Sequence, residues 1–537
     1  MKNFAIILCF VLSVTGLVAS AQGTSGVINA AEREQSIQRA LEWRRQENYA
    51  AAVQVLDSVL AINKSDAPLL LLKGDLMLQS RRFDEAAKVY KQLLPLEYET
   101  TIARINLSYA LFMNHKPAKA LEFAQMAWQK DPSNANAVVN YFNALLWNMK
   151  TNEASVFLQQ QDSLLTKQQQ LVLKARLFTT SGNYEEGLKY YDSLVKTYPD
   201  KYYVQEYAEV LLGKREVKQS ETTMQTAKAL FTPGEFKAYQ QKLEASKQQN
   251  AGTEFMYFKD VAGNVRIENS VWWQQAEEKR FRLRLSGGLS SVSSPGQEKT
   301  TAQFGHISIT ERWNRSLSGE SDIHFQFIQP GSSPGFSAVT GRQTLQYQPN
   351  DRRMVGAFYS SEILNFTASL LEKNIRSHNA GYVTHLMMNG KTGFFSQGSV
   401  GKLTDGNTRY SVFGSVYHLL RTEPTLKGGI NFSALHYSDQ SSKEYFSPNR
   451  YLNAEVFGDF STPLPKFSKF YLMTQAAAGM QQIEKEALEP SFRFQAELGF
   501  RLPHVETAVK YQTSNVASNT GTGYSFNWYT FRVLVKW

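Results

Sequence analysis

Eight histidines are the first residues to test for chemistry: His115, His306, His324, His378, His385, His418, His436 and His504. His378 and His385 stand seven apart, which puts them on opposite faces of any continuous strand. They reach one metal only if a turn near Gly381 folds the chain back. No His-Glu-x-x-His run is present. One Gly-x-Ser-x-Gly match occurs, at Gly331-Ser-Ser-Pro-Gly335. A nucleophile elbow uses the backbone N–H after the serine for its oxyanion hole, and here that residue is Pro334, which has none. The stretch follows Pro330 between strand-like segments and reads as a turn. Cys9 is the single cysteine. It lies in an apolar leader, so disulfides, thiolate nucleophiles and cysteine metal sites are not expected downstream. No catalytic, cofactor-binding or metal-ligating set is assigned.

What does recur is charge in alternation. Arg282 and Arg284 alternate with Phe281, Leu283 and Leu285. Arg493, Gln495, Glu497 and Arg501 alternate with Phe492, Phe494, Ala496, Leu498 and Phe500, and Glu506 and Lys510 continue the theme. A period of two puts the two sets on opposite faces of a strand. If the polar set lines a lumen, it is wet, carries both signs and suits a neutral or weakly charged sugar chain. The alternative is an ion-pair network that simply fills the interior.

Elements must position these residues, and the chain supplies two kinds. Of 537 residues, 42% are hydrophobic, 12% aromatic and 20% charged, which excludes a wholly disordered chain. The net charge of +10 comes without a Lys/Arg-rich block, so nucleic acid is not an expected partner. Residues 1–21 read as a signal peptide, a short basic start and an apolar run ending in Ala19-Ser20-Ala21, with cleavage between Ala21 and Gln22. Residues 22–250 are helical and repetitive. Ala52, Ala86, Ala120 and Ala154 recur every 34 residues, and Gly187 follows at 33. Gly74 lies twelve residues before Ala86. This spacing resembles the tetratricopeptide repeat, a two-helix unit whose small residues let helices cross closely. About five repeats are expected over residues 30–215, with helices to about residue 248 acting as a cap.

From residue 251 to 537 the period falls to two. Segments of about 10–12 residues, aromatics near segment ends that match outer interfacial girdles (Trp272-Trp273, Trp313, Tyr410, Tyr451 and Trp528-Tyr529), and turn-like Gly287-Gly288, Pro330-Gly331 and Asn389-Gly390 fit a transmembrane antiparallel β-barrel. About 16 strands are expected, or 12–14 if some pairs are loops. Only a closed barrel hides backbone polar groups in lipid without helices. The expected fold is therefore multidomain α + β: a helical solenoid followed by a barrel. At the chain end, Phe531, Val533, Val535 and Trp537 alternate with Arg532, Leu534 and Lys536. This pattern resembles the closing strand of bacterial outer-membrane barrels, whose terminal aromatic belongs to the signal read by the barrel-assembly machinery. The location it implies is the bacterial outer membrane, with the repeats in the periplasm.

Repeats followed by a barrel, together with Tyr445-Phe-Ser-Pro-Asn-Arg-Tyr-Leu452, resemble the YaiO family of outer-membrane proteins. More distantly they resemble the outer-membrane exporters of cellulose and poly-N-acetylglucosamine, which carry many more repeats. The resemblance implies a non-enzymatic channel or assembly component for exopolysaccharide export. Its partners are then the outer-membrane bilayer, the barrel-assembly machinery, a periplasmic protein docked on the repeats, and a polysaccharide. Two alternatives stand beside it: a barrel-anchored periplasmic scaffold without transport, and an outer-membrane lipid- or glycan-modifying enzyme.

Overall fold

The computed structural model describes residues 29–537, apart from 277–279, 389, 423, 443, 464–468 and 517–524. The expected signal peptide and its Ala21/Gln22 cleavage site lie outside the described residues. The helices run in antiparallel pairs: α1 (Ala30–Arg45) with α2 (Tyr49–Ile62), α3 (Ala67–Gln79) with α4 (Phe83–Leu93), and α5 (Thr100–Met113) with α6 (Pro117–Lys130). They continue as α7 (Ala135–Trp147) and α8 (Thr151–Gln161), then α9 (Lys167–Thr180) and α10 (Tyr184–Thr197). Beyond these come α11 (Lys201–Gly213), α12 (Val217–Thr226) and α13 (Pro233–Lys247).

Helix crossings explain the 34-residue spacing. Ala52, Ala86, Ala120 and Ala154 have no exposed surface. A Cβ on Gly74 would sit 2.7 Å from the Tyr90 ring, and one on Gly187 would sit 2.5 Å from Thr179 Cγ2. Both distances lie inside van der Waals contact, so glycine is the residue that fits. Tyr90 is locked in turn: its hydroxyl donates to Asp75 at 2.5 Å, and Asn106 donates to the same carboxylate at 3.0 Å. Farther along, buried Arg176 makes a two-pronged pair with Glu206 at 2.8 and 2.9 Å, and Tyr191 donates to that glutamate at 2.7 Å. Such a pair is stable in a low-dielectric interior only because each polar atom finds a partner. The first compact unit ends at Val210 and the second begins at Leu211. The phase of small residues runs one step beyond the five expected repeats, since Ser220 on α12 is fully buried and stands 33 positions after Gly187.

In the second unit α12 and α13 pack through Val217, Met224, Phe236 and Leu243, with Ser220 bonded to Tyr239. Helix gives way to strand between Lys247 and Asn250. Sixteen strands follow. The first eight are β1 (Asn250–Asp260), β2 (Val265–Gln274), β3 (Phe281–Ser293), β4 (Thr300–Arg312), β5 (Leu317–Gln329), β6 (Phe336–Asn350), β7 (Arg353–Ile363) and β8 (Arg376–Met387). The rest are β9 (Thr392–Leu403), β10 (Thr408–Thr422), β11 (Thr425–Tyr437), β12 (Tyr451–Pro463), β13 (Phe470–Ile483), β14 (Glu489–Arg501), β15 (Val505–Ser514) and β16 (Phe526–Lys536). A short helix, α14 (Ala368–Glu372), interrupts the β7–β8 connection.

Each strand pairs antiparallel with its sequence neighbours, and β1 pairs with β16 to close the barrel. Closure leaves no edge strand among the described residues, so each strand is hydrogen-bonded on both sides. The outer face carries exposed apolar side chains, among them Phe255, Leu285, Phe325, Val400, Val456 and Phe531. Apolar surface turned out and polar surface turned in is the inverse of a soluble sandwich and the arrangement of a lipid-embedded barrel. The chain enters and leaves at one rim, where Gln249 N–H donates to the Trp537 carbonyl at 2.8 Å and Trp537 N–H returns the bond at 3.1 Å.

Candidate functional site

The inner face of the barrel collects the polar half of every alternating strand. On β3, Phe281, Leu285 and Leu289 are exposed, whereas Arg282 and Arg284 fall on the other face. Arg282 donates to Thr310 at 3.4 Å, and the Arg284 guanidinium lies over the Trp272 ring, 4.5 Å from its centre. On β14, Phe492, Phe494 and Leu498 are exposed and Arg493, Gln495 and Glu497 are not. Arg493 forks onto Glu455 of β12, a carboxylate with 2% exposure, through Nε at 3.1 Å and through Nη2. Gln495 accepts from Gln512 at 2.6 Å. Lys510 faces Glu497 across the β14–β15 ladder.

Glu497, Arg501 and Glu506 meet in one knot near the rim where the chain enters. Arg501 donates to Glu506 at 2.8 Å, and the Tyr471 hydroxyl lies 2.9 Å from both Glu497 and Glu506. Arg532 reaches Glu497 at 3.3 Å and Glu506 at 3.5 Å. Further ion pairs line the same face, Lys427 with Asp459 at 2.6 Å and Arg409 with Glu362 at 3.0 Å. The sequence-predicted inward residues therefore share a face without forming a single cluster. Arg493 belongs to a separate pair, and Arg282 and Arg284 lie on β3.

Tyr471, Glu455, Glu254 and Arg532 were not among the inward residues singled out from the sequence, and the bonds of Tyr471, Glu455 and Arg532 reach one or two strands away, Tyr471 to Glu497 and Glu506, Glu455 to Arg493, and Arg532 to Glu497 and Glu506. Alternation along β16 and β1 was the available signal for Arg532 and Glu254. Three aromatics expected in outer girdles are a correction. Tyr451 is 1% exposed and bonded to Gln481, Trp528 lines an interior cavity, and Trp272 lies under Arg284. Strand parity decides the face, and these three stand at inward parity. By contrast Tyr410, Tyr529 and Trp313 are exposed.

Two cavities of the second unit bear on the polar inner face. One of about 560 Å³ lies inside the barrel, lined by Met256, Phe258, Phe413, Arg493, Phe526 and Trp528 among others. The other, of about 790 Å³, sits between the α12–α13 hairpin and the near rim. The hairpin is held there by Lys214 to Asp351 at 2.6 Å, Arg315 to Glu216 at 3.2 Å, and an Arg312 bond to the Lys214 carbonyl at 3.1 Å.

At the far rim the loops fold over the mouth. On α14, Leu370 packs with Leu403, Leu435 and Tyr445 on one side of the barrel, while its neighbour Leu371 packs with Val292 and Ile328 on the other. Polar ties fix this cap: Ser369 to Glu444 at 2.7 Å, Lys373 to Glu444, and the Tyr445 hydroxyl to Asp405 at 2.7 Å. The Tyr445-to-Leu452 motif thus lies at the cap and the start of β12, with Tyr445 and Tyr451 both buried.

The histidines divide between faces. His306 and His324 stack inside, ring centres 3.9 Å apart, with His306 Nε2 3.1 Å from Asp322 and its Nδ1 3.4 Å from the Ser286 hydroxyl. His378 and His385 lie on opposite faces of one continuous strand, beside Tyr359 and Tyr417 respectively, so they cannot share an ion. The Gly-x-Ser-x-Gly match sits in the β5–β6 loop, where Ser332, the residue before the motif serine Ser333, donates to Glu372 at 2.6 Å.

Comparison with known proteins adds the following. The tetratricopeptide-repeat profile matches residues 44–104, and the profile described as cellulose synthase operon protein C C-terminus matches residues 377–535. No curated protein matches the chain. Among solved structures, a bacterial polysaccharide outer membrane secretin is 10% identical with a TM-score of 0.45, covering 54% of this chain and 99% of its own. OccK5 of Pseudomonas aeruginosa is 11% identical with a TM-score of 0.32, covering 54% and 98%. A tetratricopeptide repeat protein from Parabacteroides merdae is 14% identical with a TM-score of 0.32, covering 40% and 90%.

Proposed function

We propose that the protein is an outer-membrane channel or assembly component for export of an exopolysaccharide, with its helical repeats docking a protein partner in the periplasm. The observation that carries this reading is the match of residues 377–535 to the C-terminal family of a cellulose synthase operon protein, on a closed barrel with a polar inner face. YaiO-family membership is the finer form of the same proposal, supported by the repeats-then-barrel order and the Tyr445-to-Leu452 stretch. Export requires no bond-making at all. A sliding glycan exchanges water hydrogen bonds for side-chain ones, and a polar lumen lets each exchange be nearly neutral.

The reading includes no catalytic step. Ser286, His306 and Asp322 do line up across three strands, but a 3.4 Å Ser–His separation is longer than an ordinary hydroxyl hydrogen bond. The candidate lumen residues Arg282, Arg284, Arg493, Gln495, Glu497, Arg501, Glu506 and Lys510 act here as wetting and charge-setting groups. Phe531, Val533, Val535 and Trp537 serve assembly.

Clean deletion of the gene, under conditions where it is expressed, tests the proposal. Surface polysaccharide should fall, and be restored by the full chain but not by a chain lacking residues 30–210. Unchanged amount and composition overturns it. The covered far mouth favours a second reading, an anchored scaffold. A purified full-length barrel that passes no ions in a planar bilayer under any voltage would support the scaffold instead.

A further inference from the structure

The cavity of about 560 Å³ inside the barrel lies beneath the cap, and aromatic rings from opposite walls meet in it. On one wall Phe258 of β1 stands opposite Trp528 of β16 across the closing ladder, and Phe526 joins them. Their ring centres lie 5.8 Å apart for Phe258 and Trp528, 5.6 Å for Phe258 and Phe526, and 6.5 Å for Phe526 and Trp528. On the other wall Phe413 of β10 lines the same space, and Phe366, packed into the cap cluster, roofs it. Apolar rings favour leaving water, so wetting the lumen does not explain them.

Polar groups stand among the rings. The side-chain amides of Asn365 and Gln397 line the cavity and make no hydrogen bond among the described residues. Arg266 Nε is buried with no acceptor among the described residues. A buried N–H without an acceptor is costly and is usually matched by a ligand or water. Both guanidinium groups of the described lining are already neutralised: Arg266 donates to Glu268 at 2.6 Å, and Arg493 forks onto Glu455. The adjoining segment 517–524 contains no Asp, Glu, Lys or Arg. A charged ligand would therefore be buried here without a counter-ion, at a cost.

Flat apolar faces edged by uncharged hydrogen-bonding groups match one ligand class, an uncharged pyranose. Its C–H faces pack on the electron-rich faces of aromatic rings, and its hydroxyls donate and accept around the edge. The volume is within the range of small-molecule sites. We infer that this cavity is a saccharide-binding site that holds uncharged pyranose units of the exported glycan beneath the cap. Sugar faces lie against Phe258, Phe526 and Trp528, and hydroxyls answer Arg266 Nε and the amides of Asn365 and Gln397. The inference rests on the export reading and deepens it, since the lumen then grips the glycan at one station before the far mouth. An acyl chain would cover the rings but leave the Arg266 N–H unanswered.

The experiment titrates the full-length protein in lipid nanodiscs by calorimetry with hexamers of glucose (cellohexaose and maltohexaose), of galacturonate and of glucosamine. At least one glucose hexamer should bind, about tenfold more tightly than either charged hexamer, and its affinity should hold as salt rises. Trp528→Leu removes a flat face and should weaken that binding about threefold to tenfold. Gln397→Ala, on the opposite wall, gives up no bond among the described residues, so it tests the site even where Trp528→Leu lowers barrel yield. A loss of about twofold to fivefold is expected from it. If a charged hexamer binds as tightly as the glucose hexamers, the uncharged class is wrong and the inference fails. Unchanged affinity in both variants would put the sugar elsewhere and overturn the site. If no hexamer binds while deletion of the gene lowers surface polysaccharide, the inference fails and export stands. If a glucose hexamer binds with these variant effects yet deletion changes nothing, the export reading falls and the saccharide site stands.

Discussion

Asp75 shows how a single residue couples packing to pH. Burial raises its carboxyl from 3.8 to about 6, against the opposing pull of Tyr90, Arg44 and Asn106. The folded state therefore holds the proton more tightly than the unfolded chain, and the stabilisation this gives is present at low pH and lost as pH rises through about 6. Two pKa units correspond to roughly 2–3 kcal/mol. The helical melting transition of the full chain should fall in temperature between pH 4 and pH 7, and Asp75→Asn should flatten that slope. Equal slopes in the two proteins would refute the assignment. Next to it, Gly74→Ala should cost about 1–3 kcal/mol, because the Tyr90 ring is pinned by its hydroxyl and cannot swing away. An unchanged melting temperature would count against this. Residues like Gly74 and Ala120 were legible in the sequence because a helix crossing dictates side-chain size at a fixed spacing. The knot of Tyr471, Glu497, Glu506 and Arg532 was not, because it joins four strands whose register the sequence does not spell out.

Strands were legible as elements wherever alternation was strict, as in β3 and β14, and the count of sixteen is the first of those expected. Alternation does not say which aromatics turn in, and so Trp272, Tyr451 and Trp528 were misplaced. Loops have no period at all, which is why the cap on α14 left no trace in the sequence beyond the Tyr445-to-Leu452 stretch. Two predictions belong at this level. Replacing residues 365–374 by a short Gly-Ser linker removes Leu370 and Leu371 from their apolar contacts on two sides of the far rim. Bilayer conductance should rise severalfold, and no change would mean that the cap does not limit the pore. Changing Phe531 and Trp537 to Ser removes outward apolar surface, 46% and 54% exposed to the surroundings, at about 25 cal/mol per Å². Folded, heat-modifiable barrel in the outer membrane should drop, and unaltered yield would remove these residues from assembly.

For the molecule as a whole, the proposed export reading puts the helical half on the periplasmic side of the membrane. Protease added to intact cells should spare residues 30–247 and cut, at most, loops of the far rim such as 438–450. Loss of the helical half without permeabilisation would reverse the orientation. The seam adds a mechanical consequence. Because α13 runs into β1 within two residues, any tension that a moving partner or a sliding cargo places on the helical half is delivered straight to the β1 strand. That strand is gripped on both sides, by eleven residue pairs to β16 and ten to β2. Antiparallel hydrogen bonds lie across the strand axis. A pull along β1 therefore shears them all at once instead of peeling them one by one, so the junction behaves as a load-bearing anchor at the very place where the barrel closes.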